Sequence, residues 1–437
     1  MSKSSLSSNA KFSYGKLEIA EWIFTVISIM FYSGGPFPLI LSQGFGEGMI
    51  DPTPDPTDYS KLVASFFLNY LISFSLLILR WKRSLYVVKK EWTIWLLIGI
   101  ALVSVVWSFI PKLTPNRSIA LAGSTMFGFY IAARYSIRDQ LKLLSWSFAT
   151  IVVLSLLMIV IIPAYGTMSY GIHAGSLRGI YTHKNWLGRS MTLGSVVFLI
   201  LAMDEKRQRW RYWIGLGCTF CLLLLSKSSG SIVNCLTIFS IIPIYGVLRW
   251  SSLMMMPTIS GIVLISSSFV LWFNENSAIL LGSIGKDATL TGRTDMWPHM
   301  IDMIAKQPWL GYGYNGFWND WDSPGAIVWY AAKWTAPNAH NGILDLLLQV
   351  GILGLIVFAI GFGMSLIRGV SLLRVDKSWL SFWPILYLTH FTLANVSESF
   401  LLNFNDLAWV LYVSVAFSLA SVDLSSKKVL TQPQTSE

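Results

Sequence analysis

Two short segments bring together side chains that can hold an anion and move a proton. The first is Arg178-Gly-Ile-Tyr-Thr-His183-Lys184-Asn185-Trp-Leu-Gly-Arg189. Three cations, an imidazole and an amide at the start of an apolar run suit phosphate, because a guanidinium fork matches its oxygens and helix amides add positive potential. Each such charge-assisted hydrogen bond contributes roughly 1.5–3 kcal/mol net, so two or three would stabilise a pyrophosphate leaving group without a metal. A basic anchor against lipid headgroups is the competing reading, and Lys184 and Arg189 suit it equally.

The second segment is Pro337-Asn-Ala-His340-Asn341, directly before a long apolar run. Asn338 reads as a helix cap and His340 as a first-turn residue. A helix N-terminus disfavours imidazolium, which keeps a neutral ring nitrogen available near pH 7, the state a general base needs. Asn341, Asp345 and Gln349 follow at i, i+4 and i+8 as one polar stripe on a greasy helix. Polar and ionisable groups within a span normally face a cavity or a partner. An interfacial hydrogen-bonding histidine is the bland alternative for His340.

Lipid is the solvent that must position these segments. Of the 437 residues, 54% are hydrophobic and only 12% charged, and mean hydropathy is positive, a combination outside the range of soluble domains. A bilayer core needs about 20 apolar residues per helix, which predicts about twelve spans near 17–34, 62–80, 91–110, 117–134, 141–163, 186–203, 211–227, 230–249, 253–274, 340–367, 378–396 and 403–422. The expected organisation is therefore an N-terminal helical block over 1–274, a long outer loop over 275–339, and a C-terminal helical block with its tail over 340–437.

The first sixteen residues carry no cleavable-signal pattern, so the first span is expected to be an uncleaved anchor. Placing the N-terminus in the cytoplasm puts Arg80, Lys82, Arg83, Lys89, Lys90, Arg134, Arg138, Lys142, Lys206, Arg207, Arg209 and Arg211 inside, as the positive-inside rule requires. Both termini are then cytoplasmic, and the first outer loop, with Glu47, Asp51, Asp55 and Asp58, is acidic. The exceptions are informative. Arg178, Lys184, Arg189, Lys227, Lys286, Arg293, Lys306 and Lys333 fall outside, bracketing connections rich in polar and aromatic residues, where an anionic ligand would explain them better than ordinary solvated loop charge.

Other chemistries find less support. The net charge of +10 is spread in short clusters between apolar runs, which argues against nucleic acid. Cys218, Cys221 and Cys235 lie in apolar stretches with no His, Asp or Glu beside them, so no metal or redox centre is expected. Within the long loop, Met296, Met300, Met303 and Ile304 share one helical face, a pattern for a helix lying on the membrane surface. The run from Pro308 to Phe317 reads equally as a sugar-stacking surface or as interfacial packing.

Three motifs carry a family resemblance. His340-Asn341, nine residues, Gly351, two residues, Gly354 is similar to a pattern of His, a small polar residue, nine spacers, Gly and a closing Gly, Thr or Tyr. Gly292-Arg293-Thr-Asp-Met-Trp297 followed by Pro308-Trp-Leu-Gly311-Tyr-Gly313 resembles an outer-loop motif, and Arg178 to Asn185 an earlier arginine motif. Together, over about 175–355, they resemble the O-antigen ligase and O-antigen or exopolysaccharide polymerase superfamily.

What the resemblance implies is an all-α, polytopic, GT-C-like glycosyltransferase in the bacterial cytoplasmic membrane, its active site facing the periplasm or outside, using undecaprenyl-diphosphate-linked glycan as donor, with no nucleotide sugar, metal or cofactor. Its partners would be that donor, membrane lipid, an acceptor glycan and a regulator of chain length. Arg178 and Arg293 would hold the pyrophosphate and His340 would be the base. His183, Lys184, Asn185, Lys227, Asn341 and Glu398 are the candidate substrate-binding residues, Glu398 through a polar patch with Asn395 and Asn403 that resembles exopolysaccharide-type members.

The expected reaction is an inverting polymerisation of lipid-linked repeat units. A ligase transferring the glycan to a lipid A core or other acceptor is the alternative. A lipid-linked oligosaccharide transporter or flippase is the alternative of another class, disfavoured because no internal repeat is evident and the polar residues gather at one surface. A noncatalytic scaffold would leave the outward cations unexplained.

Overall fold

The computed structural model describes residues 15–36, 60–169, 173–258, 260–261, 293–333 and 335–422. Fourteen helices of eight residues or more carry the architecture among them: α1 Lys16–Tyr32, α2 Ser60–Leu79, α3 Trp81–Val88, α4 Trp92–Val103, α5 Thr114–Arg134, α6 Ile137–Ile161, α7 Lys184–Asp204, α8 Arg209–Leu225, α9 Ser229–Val247, α10 Arg293–Lys306, α11 Gly325–Ala332, α12 Gly342–Val375, α13 Phe382–Ser397 and α14 Leu407–Ser421. The described residues form no strand; Thr167 and Leu177 make an isolated bridge.

A described helix lies at each expected span except the ninth, most of which falls outside the described residues. Five of them, α2, α6, α7, α9 and α12, are long and apolar enough to cross a membrane. On α2 the exposed residues include Val63, Phe67, Leu71, Phe74 and Ile78, a continuous greasy stripe that in water would far exceed the apolar patch a soluble monomer tolerates. The chain is a multi-pass α-helical membrane protein.

The core lies where α5, α7, α13 and α14 meet. Gly128 of α5 lets α14 approach so closely that a Cβ there would sit 2.5 Å from the Val410 carbonyl. Three of the arginines expected inside end in ion pairs: Arg80 with Glu21 at 2.6 Å, Arg134 with Glu21 at 3.0 Å and Arg138 with Asp204 at 2.7 Å. These contacts tie α1 to α5 and to the junction of α2 with α3, and α6 to α7, at the end of the bundle opposite the 293–340 segment.

That segment folds onto the bundle rather than along a lipid surface. Met296, Met300 and Met303 of α10 are buried against Phe317, Ala326, Trp329, Ala339 and Leu348. The apolar face expected to meet lipid is covered by protein, because α11 and the start of α12 offer it a dry partner. Burial of each such side chain contributes about 1.5–3 kcal/mol. The aromatic run divides as well: Tyr314 and Phe317 are buried, whereas Trp309 is 64% exposed.

The loop is anchored where α12 is broken. Gly351 has φ 64° and ψ −167°, a conformation essentially restricted to glycine. The break exposes backbone groups that an unbroken helix would use internally, and the loop takes them. The Ile352 amide donates to the Pro308 carbonyl at 2.8 Å, and the Tyr312 amide donates to the Leu348 carbonyl at 2.8 Å. A Cβ on Gly351 would lie 2.3 Å from the Trp309 backbone. Gly351→Ala should therefore cost at least about 1–3 kcal/mol of stability, lowering the melting temperature of the detergent-purified protein; an unchanged melting temperature would contradict this docking.

Candidate functional site

The expected site residues gather at the end of the bundle that carries the loop, and the polar stripe of α12 explains how. Asn341 caps the helix: its Oδ1 accepts from the amides of Ile343 at 3.0 Å and Leu344 at 3.2 Å. One turn on, the buried Asp345 accepts from the Trp318 indole at 2.7 Å and from the Ala339 amide at 3.0 Å. Gln349 Oε1 accepts from the Asn315 amide at 3.3 Å. The stripe faces a partner, which is the loop itself.

His340 is thereby held just outside the helix. Asn338, expected as the cap, instead accepts the His340 amide at 2.9 Å, and Asn341 takes the capping role. His340 precedes the helix rather than occupying its first turn, with φ 47°, the left-handed region that L-residues enter at a cost. The conformation aims the ring at the end of α13, where His340 Nδ1 lies 3.3 Å from Glu398 Oε2. Asn395, one turn earlier, steadies this corner by accepting from the amides of Phe400 at 2.8 Å and Leu401 at 3.1 Å.

The Arg178 segment reaches the same corner. The Arg178 and Gly179 amides donate to the Gly166 carbonyl at 2.9 and 3.0 Å, closing the connection between α6 and α7. The Arg178 side chain is only 2% exposed, with Nε donating to the Tyr165 carbonyl at 2.7 Å. His183 then caps α7, its Nδ1 accepting from the Asn185 amide at 3.1 Å. Its ring stands edge-on to His173, 5.4 Å away, and feels the charges of Lys184, Glu398 and Arg178. Glu398, paired with His340, is thus also within electrostatic reach of His183.

The remaining candidates are placed less directly. Lys184 Nζ donates to the Lys227 carbonyl at 3.2 Å, and the Asn185 amide oxygen accepts the Ser228 hydroxyl at 3.0 Å. These bonds join the start of α7 to the turn between α8 and α9, where Lys227 has φ 52° and an exposed side chain. Arg293 starts α10; its side chain lies outside the described residues, as does Lys286. Arg189, grouped with the phosphate-binding cations on sequence, is internal. It pairs with Asp406 at 3.3 Å between the rings of Trp186 and Phe400, 4.5 and 4.2 Å from their centroids. A cation one turn into an apolar helix finds an acid and two aromatic faces more readily than an outside ligand.

Sequence reasoning passed over His173, Trp318 and Asp406. Only His173 carried a usable signal, as an imidazole shortly before the Arg178 motif. Among the described residues no group of three His, Cys, Asp or Glu side chains could hold a metal ion.

Residues 214–359 match the family model described as O-antigen ligase, an interval that includes Arg293, His340, Asn341 and Gly351. Over 275 residues, 59% of the chain, the sequence is 24% identical to the exopolysaccharide production protein ExoQ of Rhizobium meliloti (strain 1021). Both findings support the O-antigen ligase and Wzy-like family. The match spans 60% of that relative's length. Arg178 and Glu398 lie outside the interval of the ligase-family model, so their link to the His340 corner comes from the fold.

His183 makes the corner sensitive to acid. Burial pushes its pKa down to about 4, helped by the neighbouring His173 and Lys184 and opposed by Glu398. An unfolded histidine titrates near 6.5, so between about pH 6.5 and 4 the unfolded chain takes up a proton that the folded site refuses. The stability associated with neutral His183 is present above that window and is lost as pH falls through it. His183→Asn keeps a capping acceptor that does not titrate, so its melting temperature should fall less than the wild type's between pH 7.5 and 5; equal falls would contradict the assignment.

Proposed function

We propose that this chain is a membrane glycosyltransferase that polymerises undecaprenyl-diphosphate-linked oligosaccharide repeat units into exopolysaccharide or O-antigen on the outer face of the bacterial cytoplasmic membrane, with both termini inside. The observation that carries the reading is the contact between His340 and Glu398 at a corner where the Arg178 segment also arrives. A carboxylate accepting from Nδ1–H fixes the imidazole tautomer whose lone pair is on Nε2, and it stabilises the imidazolium that forms when a proton is taken.

In this reaction the acceptor hydroxyl gives its proton to His340 Nε2 while its oxygen bonds to the anomeric carbon of the donor. The bond between that carbon and the diphosphate oxygen breaks, its electron pair leaves with the diphosphate, and the configuration inverts. Arg293 and Lys184 receive the departing charge. Arg178, being buried, contributes through its field, and Lys227 lies on the adjoining turn. Positive groups held in place beforehand stabilise charge that develops only in the transition state. His183, Asn185 and Asn341 hold the helix starts that frame the donor. No metal is required by this scheme.

Polymerisation is preferred over ligation because the His183-Lys184-Asn185 and Glu398 segments resemble exopolysaccharide-type members. A ligase would use the same corner with a terminal acceptor, whereas a transporter would be expected to show two similar halves and polar residues at the midplane rather than at one end of the bundle. In a strain deleted for the gene, His340→Ala and Arg293→Ala should each abolish polymer while the protein still reaches the membrane at normal level. Glu398→Gln should retain transfer reduced by roughly 10- to 100-fold, less than the about 10²–10⁴-fold that loss of the acid–base group itself would cost, because it acts through His340. Normal polymer length in the Arg293 or His340 variant would overturn the assignment.

A further inference from the structure

A groove of about 750 Å³ runs along the loop, apart from the His340 corner. Its volume falls within the about 300–1,000 Å³ usual for organic-ligand sites. Trp107, Phe109, Tyr312, Trp321 and Tyr330 line it, and two of these rings are fixed from behind. The Trp107 indole donates to the Leu310 carbonyl at 3.1 Å, and the Tyr312 hydroxyl to the Met303 carbonyl at 2.9 Å. Trp321 and Tyr330 are instead 54% and 71% exposed, with ring centroids 5.0 Å apart.

We propose that this groove binds a neutral stretch of glycan chain, the acceptor or growing polymer, and so rests on the glycosyl-transfer reading above. Sugar rings present C–H faces with partial positive charge, which match the negative face of an aromatic ring, and their hydroxyls need hydrogen-bonding groups alongside. Gln307, Asp322 and Ser323 on the groove wall supply these. A lipid tail would strand the Asp322 carboxylate against hydrocarbon, and a phosphate headgroup would find no cluster of cations like the one at Arg178 and Lys184. Lys306 balances that carboxylate, so the groove is close to neutral, unlike the cationic segment at Arg178 and Lys184.

Continuity with the His340 corner supports the same occupant. Trp321 meets Trp329 edge-on at 5.3 Å, and Trp329 lies 6.1 Å from Trp318. Trp318 donates to Asp345, which also accepts the Ala339 amide next to His340. One chain of contacting rings thus joins the groove wall to the carboxylate that positions the base. The groove wall and His340 are thus set by the same packed loop, so a glycan held in the groove would lie on the element that positions the base.

The probe is a set of water-soluble oligosaccharides hydrolysed from the polysaccharide that the producing strain secretes, titrated into the full chain in nanodiscs and followed by tryptophan fluorescence and saturation-transfer NMR. Wild type and His340→Ala should bind alike. The double variant Trp321→Ala with Tyr330→Ala should bind about ten-fold more weakly and raise the acceptor KM with kcat largely kept, at an unchanged melting temperature, and Trp321→Phe with Tyr330→Phe should restore most of the affinity. Wild-type binding and KM in the alanine variant would overturn the groove while leaving the transferase reading intact. So would absence of oligosaccharide binding by the wild type, or displacement of bound oligosaccharide by sugar-free undecaprenyl phosphate. Oligosaccharide binding with no transfer by the wild type would sink the transferase reading and leave the groove.

Discussion

The interruption of α12 at Gly351 is the constraint from which the rest of the loop end follows. A helix that runs unbroken satisfies its own backbone, leaving a neighbouring loop only side chains to hold. Here the break gives up backbone groups near the end of the helix, and Pro308 and Tyr312 bond to them. Gly311, with φ 63°, brings the loop backbone close enough that a Cβ there would lie 2.7 Å from the Leu348 carbonyl. Two glycines thus let the loop backbone bond directly to the broken helix.

Once the loop is seated, the polar stripe finishes the placement. Asp345 is a buried carboxylate, costly unless paired, and it is satisfied by one donor from the loop and one from the residue preceding His340. Loop position and His340 position are therefore linked through one side chain. On the far side, Arg189 and Asp406 pin the connection between α13 and α14 against α7, which holds Glu398 near both histidine segments. The same bundle ties its opposite end with ion pairs around Glu21.

Much of this was legible in the sequence because lipid imposes simple rules. Apolar run lengths placed the helices, and the polar stripe at 341, 345 and 349 marked the helix that receives the loop. Three details were not legible. Asn338 and Asn341 are both good caps, and the capture of the Ala339 amide by Asp345 decides between them. The methionine face of α10 has the same pattern whether its partner is lipid or protein. Arg189 looks like an anion-binding cation until Asp406, 217 residues away in sequence, is brought beside it. The last two depend on long-range partners that spacing does not encode, and the first on which of two nearby caps the buried Asp345 leaves free.

The most direct measurement is transfer by the purified chain alone. Incubated in detergent with EDTA and an undecaprenyl-diphosphate-linked repeat unit, it should yield a ladder of longer lipid-linked glycans, resolved by gel and identified by mass spectrometry, with one undecaprenyl diphosphate released per unit added. Unchanged substrate under these conditions, both alone and with a lipid A core acceptor supplied, would contradict the account.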